Sequence, residues 1–245
     1  MSQKITHDNE HLMTNHSKII DYPINTDIFP NTKNVNFIEL TLYKNEYLLI
    51  PKDWFHWVYT EPNSIAISFE IRSMKGNKNN FLYENIIKNQ PFKKRGLIYD
   101  INYQHFTDSL LNEDVRALFS STNDLSPVYK NDNFKMFEAN SYKNIKLISS
   151  KFNYYTYLGS LDLTTNPVWD NFKVLRNFID FGTDIMVNYM PTVWVTLDKQ
   201  VNSGLHYDGT NRVLYVVEGM KKVILAHPKE EKNLYLEDMY RVVSF

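Results

Sequence analysis

The sequence predicts a mainly β fold, a barrel or a sandwich, with helices in the middle of the chain. Short apolar or alternating segments occur near both ends of the chain and are separated by residues that favour turns. The 245 residues are 43% hydrophobic and 15% aromatic, which is typical of a globular protein. This length corresponds to one large domain or two small ones, and either can bury a core without cross-links.

Composition narrows the classes of function. Cysteine is absent, which excludes disulfides and thiolate metal sites, so that any metal must use His, Asp or Glu. The formal net charge of −1 gives no reason to expect nucleic acid or an anionic membrane as a partner. No apolar run approaches the roughly 20 residues that a membrane span needs, and the polar N-terminus lacks the apolar core of a signal peptide. We therefore expect a soluble intracellular protein, cytoplasmic or nuclear.

The sequence of the N-terminal third predicts an irregular arm that is followed by strands. Residues 1–35 are polar, lack periodicity and contain Pro23 and Pro30, so we expect a mostly irregular arm. Residues 72–89 are polar and are expected to be a connector with some helix. Between them, four segments have strand character and are separated by turn residues: Phe37–Leu42, Tyr47–Ile50, His56–Thr60 and Ser64–Ile71.

The rest of the chain predicts two helices and then strands again. Apolar residues at helical spacing predict helices over Phe106–Phe119 and Trp169–Phe181. A turn is expected at Glu218–Met220. Strands are expected at four places near the C-terminus: Val193–Leu197, Leu205–Asp208, Val213–Val217 and Lys222–Ala226.

Four residues are candidates for binding a metal ion or an anion. In a strand, His206 and Asp208 project to the same face, and such a pair plus one more His makes the facial triad of non-haem iron. His56 follows an apolar strand, a turn that begins at Pro51 and two aromatic residues. It is a candidate third ligand, although a core histidine among aromatics is the commoner case. Lys221, if it faces a barrel interior, requires an anion, whereas on an exposed hairpin it would simply be solvated.

Both histidine segments resemble the JmjC-related (cupin-8-like) cupins, the Fe(II)- and 2-oxoglutarate-dependent hydroxylases that modify protein side chains. Ser203–Asp208 is similar to the motif around the family's first two ligands. Asn211–Leu225 matches the strand, Gly turn, basic pair and apolar strand that follow it, and Leu48–His56 matches the setting of the third ligand. Further similarity lies in Ser64–Phe69, Pro91–Leu97 and Tyr154–Leu158, so that the resemblance covers nearly everything from residue 36 onward.

The resemblance implies a double-stranded β-helix (a jelly roll, or cupin) with flanking helices. It also implies that iron is bound by His206, Asp208 and His56. The cosubstrate 2-oxoglutarate would then bind through Lys221, Tyr157 and Ser203, and the substrate would be a protein or peptide.

One departure from the family concerns an amide side chain near the metal. This sequence has Ser68 and Arg212 there, and Asn211 is the candidate substitute for the amide. Trp57 and Trp194 are candidates for the barrel mouth, or else for the core.

The remaining histidines are assigned no function. His7, His11 and His16 lie in the polar arm, where they make at most a weak metal patch. His105 is expected at the surface, and His227 ends a strand and is left unassigned.

A second departure is the order of the segments. In the family the strand with the first two ligands precedes the third ligand, whereas here His56 comes first. Read in the order 90–245 and then 36–71, the segments make one complete domain. We therefore expect a circularly permuted cupin over 36–245, with 36–71 as its C-terminal barrel half, 72–89 as connector and 90–245 as its N-terminal half. The alternatives are a domain-swapped homodimer that completes each barrel in trans, and a fragment of a tandem array with two incomplete sites.

Three functions remain open at this point. The first is a 2-oxoglutarate-dependent dioxygenase that hydroxylates a protein or peptide. The second is a catalytically silent cupin that serves as a binding or structural module. The third is a metal-dependent cupin enzyme that does not use 2-oxoglutarate, against which Lys221 argues because it would then lack an acid partner.

Overall fold

The structure is a computed structural model that describes residues 15–74, 81–95, 107–108, 114–123, 134–162 and 185–236. Its strands are β1 (Phe37–Tyr43), β2 (Glu46–Ile50), β3 (Phe55–Thr60), β4 (Ile65–Met74), β5 (Phe92–Arg95), β6 (Asp114–Ser120), β7 (Phe134–Ser141), β8 (Tyr155–Asp162), β9 (Ile185–Thr196), β10 (Val201–Asn202), β11 (His206–Tyr207), β12 (Asn211–Glu218) and β13 (Met220–Ala226). The helices are α1 (Phe81–Ile87) and α2 (Tyr142–Phe152), with short 3-10 helices at Pro30–Asn34 and Pro228–Asn233. None of the helices in the described ranges has the length and apolar character needed to cross a bilayer.

The strands form two antiparallel sheets. The smaller sheet has the order β1-β13-β3-β10, and β11 also pairs with β3. The larger sheet has the order β5-β2-β12-β4-β9-β8-β6-β7. Strands from the two ends of the chain alternate in both sheets, because β13 lies between β1 and β3 and β12 lies between β2 and β4. The predicted mainly β fold is confirmed, and two facing antiparallel sheets are compatible with a jelly roll.

Strand β12 shows why these residues form a central strand. Its residues from Val213 to Val217 are all apolar, and all are buried. Such a run is typical of a strand that is covered on both faces. Leu214 and Val216 face one core and Val213, Tyr215 and Val217 face another, as the alternation of side chains in a strand requires.

Three apolar layers hold the two sheets in place. The inner layer lies between the sheets and includes Leu42, Leu48, Ile50, Trp54, Ala66, Leu214, Val216, Val223 and Leu225. A second layer, on the outer face of the large sheet, contains the buried Tyr142 and Ile145 of α2. The third joins Trp57 of the small sheet to Ile19 of the N-terminal arm and to Leu234. Each fully buried side chain of this size contributes about 1.5–3 kcal/mol relative to an exposed one.

Helix α2 was not predicted, although it has clear boundary signals. The Ser141 hydroxyl accepts a hydrogen bond from the Asn144 backbone N–H at the N-terminus, and Asn153 ends the helix in the left-handed conformation with φ of 57°. Ser and Asn are preferred at these two positions for the conformations they take there. The short segment between them has only Tyr142, Ile145 and Ser149 buried, too few apolar positions for periodicity to reveal it.

The helix predicted over Phe106–Phe119 is wrong from Asp114 onward, where the chain forms β6. Ala117 and Phe119 are buried and lie two residues apart, which is the spacing of a strand. Pairing of β6 with both β7 and β8 satisfies its backbone on two sides, and this tertiary pairing overrides the local helical spacing. The helix predicted over Trp169–Phe181 lies outside the described residues.

The predicted strands near both ends of the chain are confirmed. The range predicted to be a connector contains the end of β4 and helix α1. Within residues 15–36 the chain is irregular apart from one 3-10 helix and two isolated bridges. It is nevertheless packed, since Ile19 is fully buried and Tyr22 contacts Trp57 edge to face at 5.9 Å.

Candidate metal centre

The three predicted metal ligands lie close together in the structure. His56 of β3 and His206 of β11 are directly opposite each other across the two antiparallel strands. Directly opposed residues share a face of a sheet, so both imidazoles project to the same side. Their ring centroids are 4.2 Å apart. Asp208 adds a carboxylate, and one ligand atom from each of the three residues lies within 4.8 Å of the others.

Two loops fix these strands against each other. In the loop before β3, Asp53 has a φ of 66° and its N–H donates to the Asp208 carbonyl at 2.9 Å. On the other side, Gly204 has a φ of 71° and its N–H donates to the Asn202 side-chain oxygen at 2.8 Å. A hydrogen bond from a backbone N–H therefore holds the segment that carries His206 and Asp208 on each side. Asp53 and Gly204 adopt positive φ angles, which Gly, Asn and Asp tolerate best.

Both histidines are oriented by backbone carbonyls. The Nδ1 atom of His56 is 3.0 Å from the Trp54 oxygen, and the Nδ1 atom of His206 is 3.0 Å from the Gly204 oxygen. A carbonyl only accepts, so each Nδ1 carries the hydrogen and each Nε2 keeps its lone pair. His56 Nε2 lies 3.6 Å from Asp208 Oδ2. This arrangement, with one ring nitrogen bound to a carbonyl and the other free, is the usual orientation of a metal-binding imidazole.

The local electrostatics favour the protonation states that bind a cation. Burial, reinforced by the neighbouring His206, lowers the pKa of His56 to about 4. Burial likewise lowers the pKa of His206. Burial opposes the charged form of Asp208, but His56, His206 and Arg212 together outweigh it and hold the pKa of this carboxyl below its ordinary value. At neutral pH the site therefore contains two neutral imidazoles and one carboxylate, as metal ligation requires.

Lys221 is buried farther along the same inner face. It lies directly opposite Thr60, which is four residues beyond His56 in β3 and so points to the same side. The ammonium donates to the Thr60 hydroxyl at 2.7 Å and to the Tyr157 hydroxyl at 3.3 Å, and the residue is 1% exposed. Burial lowers the pKa of Lys221 to about 7. The Trp194 ring stacks on the Tyr157 ring, with centroids 5.3 Å apart.

The remaining predicted contact residues are placed as follows. The Ser203 hydroxyl accepts from the Val58 N–H at 3.1 Å, and the Asn211 side-chain oxygen accepts from the Lys52 N–H at 2.9 Å. Asn211 thus secures the loop before β3. Its neighbour Arg212 instead reaches the triad, with Nε 3.4 Å from Asp208 Oδ2.

Ser68, the other residue at the position where the family carries an amide, lies in β4, the strand that pairs with β12. Ser68 of β4 faces Leu214, and its neighbour on the same face, Glu70, faces Arg212.

Trp57 does not line a mouth. It is the neighbour of His56 in β3, so it faces the opposite side of the sheet, where it is fully buried against the arm. His227, left unassigned on sequence grounds, accepts the Lys229 N–H on Nδ1 and contacts the Trp54 ring at 5.0 Å.

One histidine was missed. His16 stacks on His206 with ring centroids 5.1 Å apart and an interplanar angle of 19°. The local sequence does not reveal this contact, because His16 and His206 lie near opposite ends of the chain. His7, His11 and His105 lie outside the described residues.

Comparisons with known proteins agree with this geometry at a coarse level. No family model matches the chain, and no solved structure matches it. A protein of Acanthamoeba polyphaga mimivirus that bears the name of a JmjC domain-containing protein is 26% identical over 236 residues. The match covers 86% of this chain and 37% of the relative, so the chain spans little more than a third of that protein's length. The comparison supports a relationship with the JmjC-related cupins.

Proposed function

We propose that the protein is an Fe(II)- and 2-oxoglutarate-dependent oxygenase that hydroxylates a side chain of a protein or peptide. The observation that carries this proposal is the buried Lys221 on the same inner face as the triad of His56, His206 and Asp208. A metal site alone suits several enzyme classes. A metal site together with an interior cation whose partners in the described part of the chain are hydroxyls suits an enzyme with an acidic cosubstrate.

The donor set fits iron. Two imidazoles and one carboxylate make the facial triad of non-haem Fe(II) enzymes, in which the remaining coordination positions are free for other ligands. When bound, iron together with 2-oxoglutarate and dioxygen supplies the oxidant that hydroxylates a C–H bond. The protein's own contribution is orientation, since the Trp54 and Gly204 carbonyls fix the two rings before any metal arrives.

Lys221 fits the distal carboxylate of 2-oxoglutarate. A buried ammonium without a counterion is costly, and within the described part of the chain no carboxylate forms an ion pair with it. A dicarboxylate that chelates the metal at one end would bring its second carboxylate into this pocket and neutralise the ammonium. The Thr60 and Tyr157 hydroxyls would complete the hydrogen bonds there. A cupin enzyme without an acidic cosubstrate would leave Lys221 unexplained.

Arg212 and Ser203 are proposed as further contacts of the same ligand. Arg212 offers a guanidinium beside Asp208, close to the position where family members carry an amide. Asn211, the substitute expected from the sequence, is already engaged by the Lys52 N–H. We therefore prefer Arg212 to Asn211 for contact with the cosubstrate.

We also propose that residues 36–245 form one circularly permuted cupin domain. The alternation of N-terminal strands β1–β4 with C-terminal strands β9–β13 supports this, as does the adjacency of β3 and β11 in one chain. Light scattering with iron analysis tests this: a monomer with one iron per chain is expected, whereas iron binding that requires a dimer would favour the swapped barrel.

The substrate class remains a proposal from the family resemblance. A protein or peptide side chain is expected, and neither nucleic acid nor a membrane is expected as a partner. The side chains around the mouth decide the substrate, and the fold class does not.

Anaerobic titration with Fe(II) tests the metal site. Wild-type protein should bind iron and should then convert 2-oxoglutarate to succinate. His206→Ala should bind iron far more weakly, and His227→Gln should resemble the wild type because its ring caps a 3-10 helix. A folded wild-type protein that binds no iron would refute the proposal, and iron binding without any 2-oxoglutarate affinity would favour the other metal-dependent cupins.

One observation favours a second candidate, the catalytically silent cupin. The guanidinium of Arg212 lies 3.4 Å from Asp208 Oδ2, so a cation already neutralises the carboxylate that iron would need. In a silent module this ion pair would replace the metal. The same titration distinguishes the two, since a silent cupin would stay folded, bind no iron and leave 2-oxoglutarate intact.

A further inference from the structure

A third histidine extends the row of imidazoles at the metal centre. His16 of the arm forms an isolated antiparallel bridge with His206, which in turn pairs with His56. The three residues therefore occupy the same level on three adjacent strands and share one face of the sheet. The His206 ring lies between the other two, 5.1 Å from His16 and 4.2 Å from His56.

Backbone hydrogen bonds attach this part of the arm to β11. We call residues 15–17 the strap. The Ser17 N–H donates to the Leu205 carbonyl at 2.8 Å, and the Tyr207 N–H donates to the Asn15 carbonyl at 3.0 Å. The Asn15 side-chain amide also donates to the Tyr207 carbonyl at 2.6 Å. These bonds lie on both sides of His206, so the strap forms an added strand on the open edge of β11.

The strap is also anchored on its other side. The Ser17 hydroxyl donates to the Leu234 carbonyl, and the Lys18 N–H donates to the Tyr235 carbonyl at 2.9 Å. Ser17 is 3% exposed and Ile19 is 1% exposed. The strap therefore lies between β11 and the segment after the last 3-10 helix and is hydrogen-bonded to both. These bonds make the strap a fixed part of the fold.

We propose that His16 is a positioning residue of the metal centre, which acts by stacking on the ring of His206. This inference rests on the proposed metal site. Strand β11 is only two residues long, and a hydrogen bond between Nδ1 and the Gly204 carbonyl orients the His206 ring. The stacked His16 ring restricts rotation of the His206 ring away from the orientation in which its donor atom lies within 4.8 Å of those of His56 and Asp208. A ligand that is held in place before binding loses less freedom when the metal binds.

His16 acts through His206 and not as a ligand. Its nitrogen atoms are not part of the group of donors that lie within 4.8 Å of one another, which consists of His56, His206 and Asp208. The flat face of the ring, and not a nitrogen, makes the contact with His206. This distinction can be tested, because phenylalanine keeps the face and removes both nitrogens.

The experiment compares His16→Ala with His16→Phe in the full chain. The dissociation constants of Fe(II) and of Co(II), a redox-stable substitute, are measured without oxygen. His16→Ala should weaken metal binding by about tenfold, in the range found for residues that orient ligands, and His16→Phe should stay within about threefold of the wild type. Ile20→Ala is the matched control, because Ile20 belongs to the same arm but is 48% exposed. If His16→Ala does not fold, His16→Leu replaces it, since leucine keeps the volume without a flat ring.

Two results of these metal titrations would overturn the inference. Unchanged metal affinity in His16→Ala would show that the stack is irrelevant. An equal loss in His16→Phe and His16→Ala would show that a nitrogen of His16 matters and not its ring.

A metal-free measurement separates this inference from the proposed function. Nitrogen NMR of labelled histidine should show His206 as a single tautomer with hydrogen on Nδ1 in the wild type and a mixture in His16→Ala. An unchanged tautomer in His16→Ala overturns the positioning role. A wild-type protein that binds no metal refutes the proposed function, and the NMR comparison still decides whether His16 orders His206.

Discussion

Lys221 and Thr60 face each other across β13 and β3, and the buried ammonium donates to the hydroxyl at 2.7 Å. A hydroxyl satisfies one of the three ammonium hydrogens but carries no charge to offset the buried cation. Burial therefore lowers the pKa of Lys221 to about 7 from an ordinary value near 10.5. The protein thus places an ionisable amine where its charge costs stability, as expected for a site that binds an anion.

The stability of the protein should rise with pH between about 7 and 10. In this window the unfolded chain holds a proton on Lys221 that the folded chain does not, so stability increases by up to about 1.4 kcal/mol per pH unit. Urea unfolding over a pH series should show this rise in the wild type. Lys221→Met should remove it, and should also be more stable than the wild type at pH 7.

Lys222→Met is the matched control for that series. Lys222 is the next residue of β13, is only partly buried and forms an ion pair with Glu39 at 2.7 Å. Its replacement should leave the rise with pH intact. A rise that persists in Lys221→Met would mean that another group causes it.

Lys221→Met should also separate cosubstrate binding from metal binding. Thr60, the residue opposite Lys221, lies four residues beyond His56 in β3, so iron affinity should change little. The affinity for 2-oxoglutarate should fall by about tenfold or more, since a charged hydrogen bond to a carboxylate contributes about 1.5–3 kcal/mol. Calorimetric titration of 2-oxoglutarate into the metal-loaded protein measures this. Equal 2-oxoglutarate affinity in Lys221→Met and wild type would contradict the proposed role of Lys221.

Arg212→Asn should strengthen iron binding. The Arg212 Nε atom lies 3.4 Å from Asp208 Oδ2, so the positive charge of the guanidinium repels a cation at the triad. Removing the guanidinium should tighten Fe(II) binding several-fold and weaken 2-oxoglutarate binding, as Coulomb's law at a partly exposed site implies.

Arg212→Lys tests whether charge is the cause. It keeps the positive charge beside Asp208, so its iron affinity should stay near that of the wild type. If Arg212→Asn weakens iron binding, the guanidinium orients Asp208 and does not compete with the metal. The difference in iron affinity between Arg212→Asn and the wild type should shrink as the salt concentration rises, because salt screens a partly exposed charge.

The sequence was most informative where local chemistry decides structure. Turn residues and short apolar runs place β1–β4 and β12–β13, and the strand period alone predicts that His206 and Asp208 point the same way. The contact between His56 and His206 depends on the pairing of distant strands, so the sequence suggested it only through the resemblance to a family. His16 had no comparable signal, because neither its spacing nor its neighbours distinguish it from other polar residues of an irregular arm.

Two further features could not be decided from the local sequence either. Asn211 and Arg212 are neighbours in β12, and only the register of that strand decides which of them contacts Asp208 and which secures a loop. The segment after Asp114 has apolar residues that fit a helix or a strand, and pairing with β7 and β8 decides in favour of the strand. Both outcomes depend on partners that are remote in the chain.

Gly219→Ala should destabilise the protein strongly. Gly219 joins β12 to β13 with a φ of +78°, and a Cβ added there would lie 2.2 Å from the Ser64 hydroxyl oxygen and 2.9 Å from the Ser64 Cα. The positive φ alone costs about 1–3 kcal/mol for a residue with a side chain, and the contact with backbone atoms adds to it.

Gly209→Ala is the control for the turn. A Cβ at Gly209 meets no atom within 4 Å, and no positive φ is found there. Its midpoint of thermal unfolding should stay near that of the wild type, while that of Gly219→Ala should fall by several degrees. Equal stability of the two variants would show that the turn and Ser64 rearrange without cost.

Ile19→Ala should show that the arm is part of the core. Ile19 is 1% exposed and packs with Trp57 and Leu234 on the outer face of the small sheet, whereas its neighbour Ile20 is 48% exposed. Ile19→Ala should therefore cost about 2–4 kcal/mol in free energy of unfolding, and Ile20→Ala should stay within about 0.5 kcal/mol of the wild type. Urea unfolding of the pair measures the difference. If both variants matched the wild type, residues 15–24 would be a detachable segment, and the strap would then be free to leave His206.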